Sequence, residues 1–210
     1  MIINTGRILT DLTFDEETHT YTSNGSVIPS VTQIMRPLTE AAYGAIPKEV
    51  LRRAAEFGTA VHACTEFLDA GDLDWDSVDP EWLPYVNAYV KFKEDVNPKI
   101  ISAEVRIAGE RFAGTIDRIA EVRGELWIID IKTTSAIHPH VGVQLAAYEA
   151  LFLSGMRGRF DSKIRRFALQ LCEDGTYRLK EFKGTADDAC FACLLNVYNW
   201  MKNNDLADHS

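Results

Sequence analysis

The chain has 210 residues, 46% of them apolar and 25% charged, which is the composition of a compact globular protein and excludes disordered, collagen-like and coiled-coil chains. Its 22 basic and 31 acidic side chains leave a net charge of −9, which excludes a protein that coats nucleic acid with a uniformly basic surface and leaves only a local basic groove. No apolar run is long enough to span a membrane and the first residues lack a signal-peptide layout, so a soluble, cytoplasmic protein is expected.

Near the start, His19-Thr-Tyr-Thr-Ser23 and Ser26-Val-Ile28 flank Asn24-Gly25, residues that tolerate positive φ, and this predicts a β-hairpin. Ser30-Val-Thr-Gln33 has capping-box spacing, so a short helix is expected from about Val31. Pro47 is placed as a first-turn proline. The apolar spacing Val50, Leu51, Phe57, Val61, Cys64, Phe67, Leu68 then predicts a helix to about Asp69, interrupted at Gly58. After a loop around Gly71 to Pro80, Asp79-Pro80 opens a second helix, carrying Trp82, Leu83, Tyr85, Val86, Tyr89 and Val90 towards the core until Asn97-Pro98 stops it.

Beyond Pro98 the period changes. Three strands are expected, at about 100–107, 112–122 and 125–131, the last two joined at Arg123-Gly124. Leu126-Trp-Ile-Ile129 is nearly continuously apolar, as a strand covered on both faces is. A helix follows from His138 to Leu153, ended by Gly155. Ile164 to Leu171 and Tyr177 to Phe182 form a second hairpin around Asp174-Gly175, and Thr185 caps a terminal helix to about Met201. With no repeat or low-complexity linker, the elements predict one α/β domain over 1–210, its N-terminal hairpin and helix in 1–46 and its core in 47–210.

The chemistry concentrates in Gly114-Thr-Ile-Asp117, twelve residues, then Asp130-Ile-Lys132. The two aspartates fall on neighbouring strands, each in apolar surroundings, and a carboxylate there is costly unless it is paired or binds a cation. Lys132, two residues on, shares the face of Asp130. Two carboxylates and one ammonium suit a hard divalent ion acting on a phosphodiester. By spacing alone, the same residues also fit a strand-end acid pair with a surface lysine.

The pattern D-(x12)-D-x-K resembles the PD-(D/E)xK nuclease superfamily, and Gln144-(x3)-Tyr148 is similar to the Q-x-x-x-Y element of its RecB-like branch. Gly58-Thr-Ala-Val-His62-Ala-Cys-Thr-Glu66 is similar to that branch's upstream G-x-x-x-H-x-x-x-E element. The opening hairpin and Val27 to Gln33 resemble phage and prophage exonucleases of the group. The family's nominal Pro-Asp is Ile116-Asp117 here. The resemblance implies a restriction-endonuclease-like central mixed β-sheet flanked by helices. It implies that His62, Asp117, Asp130 and the Ile131 backbone carbonyl bind Mg²⁺ or Mn²⁺, that Lys132 is catalytic, and that Gln144 and Tyr148 contact substrate or brace the site. Glu104 resembles an upstream acid that orients water or helps hold a second ion.

Other features read two ways. Glu66, one turn after His62, either fixes the imidazole or is solvated. His138-Pro-His140 either touches substrate or caps a helix. Arg157, Arg159, Lys163, Arg165 and Arg166 make a basic run around Phe160 that either tracks a phosphate backbone or is a charged loop. Asp72-x-Asp74-x-Asp76 begins like a calcium loop but lacks its Gly and final Glu, so a solvated acidic loop is expected; the acidic residues of 66–81, Asp69 among them, either form a solvated face turned away from DNA or repel it and steer the strand toward the groove. Cys64, Cys172, Cys190 and Cys193 do not match the spacing of the iron-sulfur members of the branch, so no cluster is expected. No phosphate-binding loop of an ATP motor is present.

The resemblance therefore implies a metal-dependent exodeoxyribonuclease that resects DNA ends in phage or prophage recombination, in a bacterial cytoplasm and with a single-strand annealing protein as partner. Two alternatives stay open: a structure-specific endonuclease on the same fold, and a non-catalytic DNA-end-binding module.

Overall fold

A computed structural model describes residues 8–15, 18, 20–156 and 163–206. The N-terminal part is a three-stranded antiparallel sheet, β1 (Leu12–Asp15), β2 (Thr20–Ser23) and β3 (Ser26–Ile28). Asn24 and Gly25, at φ 49 and 74, make the tight β2–β3 turn the sequence predicts. β1 is a strand the sequence did not reveal. Ser30 then caps α1 (Val31–Ile34) with both halves of the capping box. A second short helix follows, α2 (Arg36–Tyr43), which the sequence reading does not include; no residue on it is fully buried, and Leu38 packs against the edge of the core.

The long helix α3 (Lys48–Ala70) differs from expectation in two ways. Pro47 is its N-cap residue, one position before the first turn. The helix also runs unbroken through Gly58, where a side chain would meet only Thr133 Oγ1 at 3.5 Å. Only Val61, Cys64 and Thr65 are buried on it; Val50 and Phe67, expected in the core, are 54% and 55% exposed. The first half of α3 therefore projects beyond the core and forms a wall. A 3-10 turn (Trp75–Ser77), which Asp74 caps through the Asp76 amide, occupies the acidic loop, and α4 (Leu83–Val96) ends at Asn97 in the left-handed conformation.

The main sheet has the order β4 (Lys99–Ala108), β5 (Ala113–Val122), β6 (Glu125–Lys132), β7 (Ile164–Leu171), β8 (Tyr177–Phe182). Only β6 and β7 are parallel, and α5 (His140–Met156) connects them, as a parallel crossover requires. The terminal helix α6 (Thr185–Asn203) starts from Gly184 as cap. Leu126 and Ile128 face a core with α1, α5 and α6. Trp127, Ile129 and Ile131 face a second core with α3 and α4. The apolar run in β6 is thus covered on both sides, as expected. Bridges Ile8 to Gly109 and Ser30 to Ala113 attach the small sheet to the β4–β5 end of the large one, with Tyr21, Ile28, Ala108 and Ala113 packed between them.

Candidate active site

The site forms where β5 and β6 separate. Their ladder ends at Arg118 opposite Ile129. One step beyond, where Asp117 would face Asp130, the Asp117 carboxylate takes the Ile131 amide instead (2.7 Å). On the other side, Ala103 pairs Arg118 and Val105 pairs Ile116, while Glu104 between them stands at φ 47. A non-glycine residue in the left-handed region costs about 1–2 kcal/mol, and such strain gathers at functional sites. Here it brings Glu104 beside Asp117 across an interrupted ladder.

Helix α3 supplies His62. Its Nε2 lies 3.1 Å from the Ile131 carbonyl oxygen, and its Nδ1 lies 3.8 Å from both Glu104 Oε1 and Asp117 Oδ2. His62, Glu104 and Asp117 offer three ligand atoms within 4.8 Å of one another. Asp130 lies outside this trio. It is 1% exposed, its Oδ2 has a charge contact with Lys132 Nζ at 2.7 Å, and its Oδ1 has no hydrogen-bond donor among the described residues. Lys132 also reaches Gln144 Oε1 at 3.5 Å. Gln144 Nε2 donates to the Tyr148 hydroxyl at 2.8 Å.

Each charge state has a local cause. Burial drives the Asp117 carboxyl up to about 6, with the Asp130 and Glu104 charges adding and His62 and Lys132 opposing. Burial pushes His62 down, but Asp117 and Glu104 more than reverse it and the imidazole ends above its ordinary range. Burial raises Glu104, and His62 with Arg118 pulls it below the usual carboxylate range. Burial lowers Lys132, and Asp130 with Asp117 lifts it above the ordinary ammonium value. A recessed carboxylate with one oxygen lacking a donor, a second carboxylate whose ionisation burial opposes and a facing imidazole are a donor set for a hard divalent cation. The residues present fit a metal.

His62, Glu104, Asp117, Ile131, Lys132 and Tyr148 line a cleft of about 580 Å³, with Asp130 and Gln144 outside its lining. Its walls are Ala55, Gly58 and Thr59 of α3, Ser30 to Thr32, and Phe14 and Tyr21 of the small sheet. Arg106, its guanidinium 4.7 Å from the Phe14 ring, stands at the rim. The Tyr148 ring lies so close to Gly114 that a Cβ there would come within 2.7 Å of it, which accounts for the glycine in Gly114-Thr-Ile-Asp117.

The remaining candidates fall elsewhere. Glu66, one turn after His62 on the same face of α3, is exposed and lines an outer cavity with His62 and Glu104, but it does not hold the imidazole, whose two ring nitrogens face Ile131, Glu104 and Asp117. Arg157 and Arg159 lie outside the described residues. Lys163 lines a separate cavity with Glu149, Arg166, Glu181 and Asp188. Arg165 is engaged by structural partners and not held open for substrate: its Nε and Nη2 bind Glu181 (2.7 and 2.8 Å), its Nη1 binds Glu125 (2.7 Å), and it stacks on Trp127 and Phe167.

Arg118 was missed altogether. It is fully buried and donates to Asp69 Oδ2 (2.7 Å), Thr65 Oγ1 (2.9 Å), the Asp117 carbonyl (2.6 Å) and Glu104 Oε1 (3.1 Å). Asp69 also accepts from Tyr89 and Lys93, each at 2.7 Å, so it is an anchor behind the site and no part of a solvated acidic face. A charged residue inside Ile116 to Ala120 is the sequence signal that could have found it.

A family profile described as the PD-(D/E)XK nuclease superfamily matches residues 75–192. No curated protein matches the chain. Among solved structures, one described as the crystal structure of SSO0001 is similar at 17% identity, over 87% of this chain and 80% of that one, with a TM-score of 0.44.

Proposed function

The chain belongs to the PD-(D/E)XK nuclease superfamily, and from that premise we propose that it is a divalent-metal-dependent exodeoxyribonuclease that resects DNA ends in recombination or repair. Its strongest support is the convergence, in one cleft, of His62, Glu104 and Asp117 with Lys132, whose ammonium is in turn paired with the buried Asp130 carboxylate. His62, Asp117, Asp130 and the Ile131 carbonyl would hold Mg²⁺ or Mn²⁺. When bound, the cation supplies neutralisation of phosphate charge and acidification of water.

The chain's own residues do the rest. Lys132 keeps its proton because Asp130 and Asp117 outweigh burial, so it serves as a fixed positive charge beside the reacting phosphate and not as a base. Gln144, itself held by Tyr148, limits where that ammonium can sit. Glu104, fixed by Arg118, offers an acceptor to the attacking water. Lys163, with Arg157 and Arg159 near it in sequence, remains a candidate phosphate contact.

Depth favours action from an end. Asp117 is 9% and Asp130 1% exposed, and the cleft that Asp117 lines is walled by α3 and the small sheet. A free end enters such a cleft more readily than an unbroken duplex does. The resemblance of the opening segment to phage enzymes supports a role in a bacterial cytoplasm beside a single-strand annealing protein. Among the described residues, no helix is long and apolar enough to cross a membrane.

The test is a time course with Mg²⁺ or Mn²⁺ on end-labelled linear duplex, linear single-stranded and closed circular DNA, with Asp130→Ala as control. Loss of linear DNA alone, absent in the variant, is the expected result. Cutting of circles would indicate an endonuclease, and no metal-dependent cutting would indicate a binding module.

A further inference from the structure

We propose that His138 and His140, held by Tyr43, form a subsite for a phosphate of the substrate strand next to the scissile one. This rests on the nuclease reading of the neighbouring cleft. The two imidazoles precede and open α5, just past Lys132, with their Nδ1 atoms 3.1 Å apart and their ring centroids 4.8 Å apart. Tyr43, at the end of α2, lies against both rings, at 5.6 Å from His138 and edge-on at 5.4 Å from His140. Three half-buried rings thus converge from two elements that share little else.

The Nδ1 to Nδ1 contact fixes the chemistry. Two nitrogens at that distance share one proton, so in the neutral pair one ring donates and the other accepts. The accepting ring then carries its own proton on Nε2. Neither Nε2 has a hydrogen-bond partner among the described residues, so the pair presents one outward N–H when neutral and two when it gains a proton. A phosphate oxygen is the acceptor this edge suits.

The Val141 and Gly142 amides are taken by the carbonyls of His138 and Pro139 (3.1 and 3.0 Å), so these two backbone donors are already used and the imidazoles add donors of their own. The helix dipole adds a favourable field for an anion at that point. Burial, then His138 and Lys132, hold His140 below its ordinary range, while Asp130 opposes them. The Tyr43 hydroxyl in turn acts on Lys132. The cluster and the reacting centre are therefore electrostatic neighbours, with Lys132 common to both.

The test uses wild type and His138→Gln/His140→Gln on an oligonucleotide with one uncharged methylphosphonate placed in turn at each phosphate flanking the cut bond. In wild type, one flanking position should raise KM roughly tenfold, the scale of losing a charge-assisted hydrogen bond. The double variant should show that raised KM on the ordinary substrate, keep kcat within about threefold, and be indifferent to the methylphosphonate. Unchanged KM, or undiminished sensitivity at every flanking position, would overturn the subsite. A parallel fluorescence titration with a labelled oligonucleotide and no metal separates the two ideas. Weaker metal-free binding by the variant, with no cutting by either protein once Mg²⁺ or Mn²⁺ is added, upholds the subsite and rejects the nuclease; cutting with metal and equal metal-free affinity does the reverse. Should the double variant not fold, each single substitution carries the same comparison.

Discussion

Arg118 Nη1 lies 3.1 Å from Glu104 Oε1 and links a buried charge network to the one site residue with left-handed backbone. The same guanidinium binds Asp69 at 2.7 Å, so α3, β4 and β5 are tied together directly behind the cleft. Replacing Arg118 by Met leaves Asp69 facing Tyr89 and Lys93 alone and frees Glu104. Breaking a buried pair from one side costs about 3–5 kcal/mol. We expect Arg118→Met to lower Tm by about 6–20 °C, at a few degrees per kcal/mol for a chain this long, and to reduce activity further than Glu104→Gln does. A melt within 2 °C of wild type would show that the network does not hold the site.

Asp117 makes metal-free stability depend on pH, and the sign is fixed. Its folded-state value of about 6 exceeds the ordinary carboxylate value, so the stability linked to its proton is fully present below about pH 4 and lost as pH rises through 6. Two units correspond to about 3 kcal/mol. Metal-free Asp117→Asn should therefore melt higher than wild type at pH 7.5, converge with it below about pH 4, and be inactive. Mg²⁺ or Mn²⁺ should raise the wild-type Tm at pH 7.5, with a smaller gain as pH falls through 6 and protons compete for the ligands. A less stable Asn variant at pH 7.5 would contradict this account of the carboxylate.

Lys132 and Asp130 separate binding from chemistry. Lys132→Met removes the ammonium but no candidate metal ligand. It should cost about 10²–10³ in kcat, the scale of losing one electrostatic stabiliser, while the metal-induced rise in Tm persists. Asp130→Ala should lose both. Isothermal titration with Mn²⁺ checks the pair: equal metal affinity in Asp130→Ala and wild type would remove Asp130 from the metal site.

What the sequence disclosed followed burial. Asp117 and Asp130 stood out because each interrupts an apolar strand, and both proved buried. The alternating strands and capped helices were legible for the same reason. Helix α2 has no fully buried residue and, at eight residues, is too short a window for a periodic pattern to stand out, although it delivers Tyr43 to the two histidines. Arg118 needs a partner 49 residues away, a pairing that no local pattern encodes. Arg165 read as part of a phosphate-tracking run because its partners, Glu125 and Glu181, become its neighbours only once β6, β7 and β8 are in register.

Gly114 is the last position where geometry decides an outcome. A Cβ there would sit 2.7 Å from Tyr148 Cε1, 3.2 Å from Cδ1 and 3.3 Å from Val31 Cγ2, all parts of one close-packed core. The Tyr148 ring is only 5% exposed and has little room to retreat, so Gly114→Ala should cost about 1–3 kcal/mol through overpacking. Displacing the ring also breaks the 2.8 Å bond from Gln144, and Gln144 in turn is a contact of Lys132. Activity should therefore fall at least tenfold with metal affinity unchanged. If the clash with Tyr148 is the cause, the effect is not additive: in a Tyr148→Ala background, adding Gly114→Ala should leave Tm within about 1 °C. An equal penalty in both backgrounds would place the strain at Val31 and detach Gly114 from the positioning of Lys132.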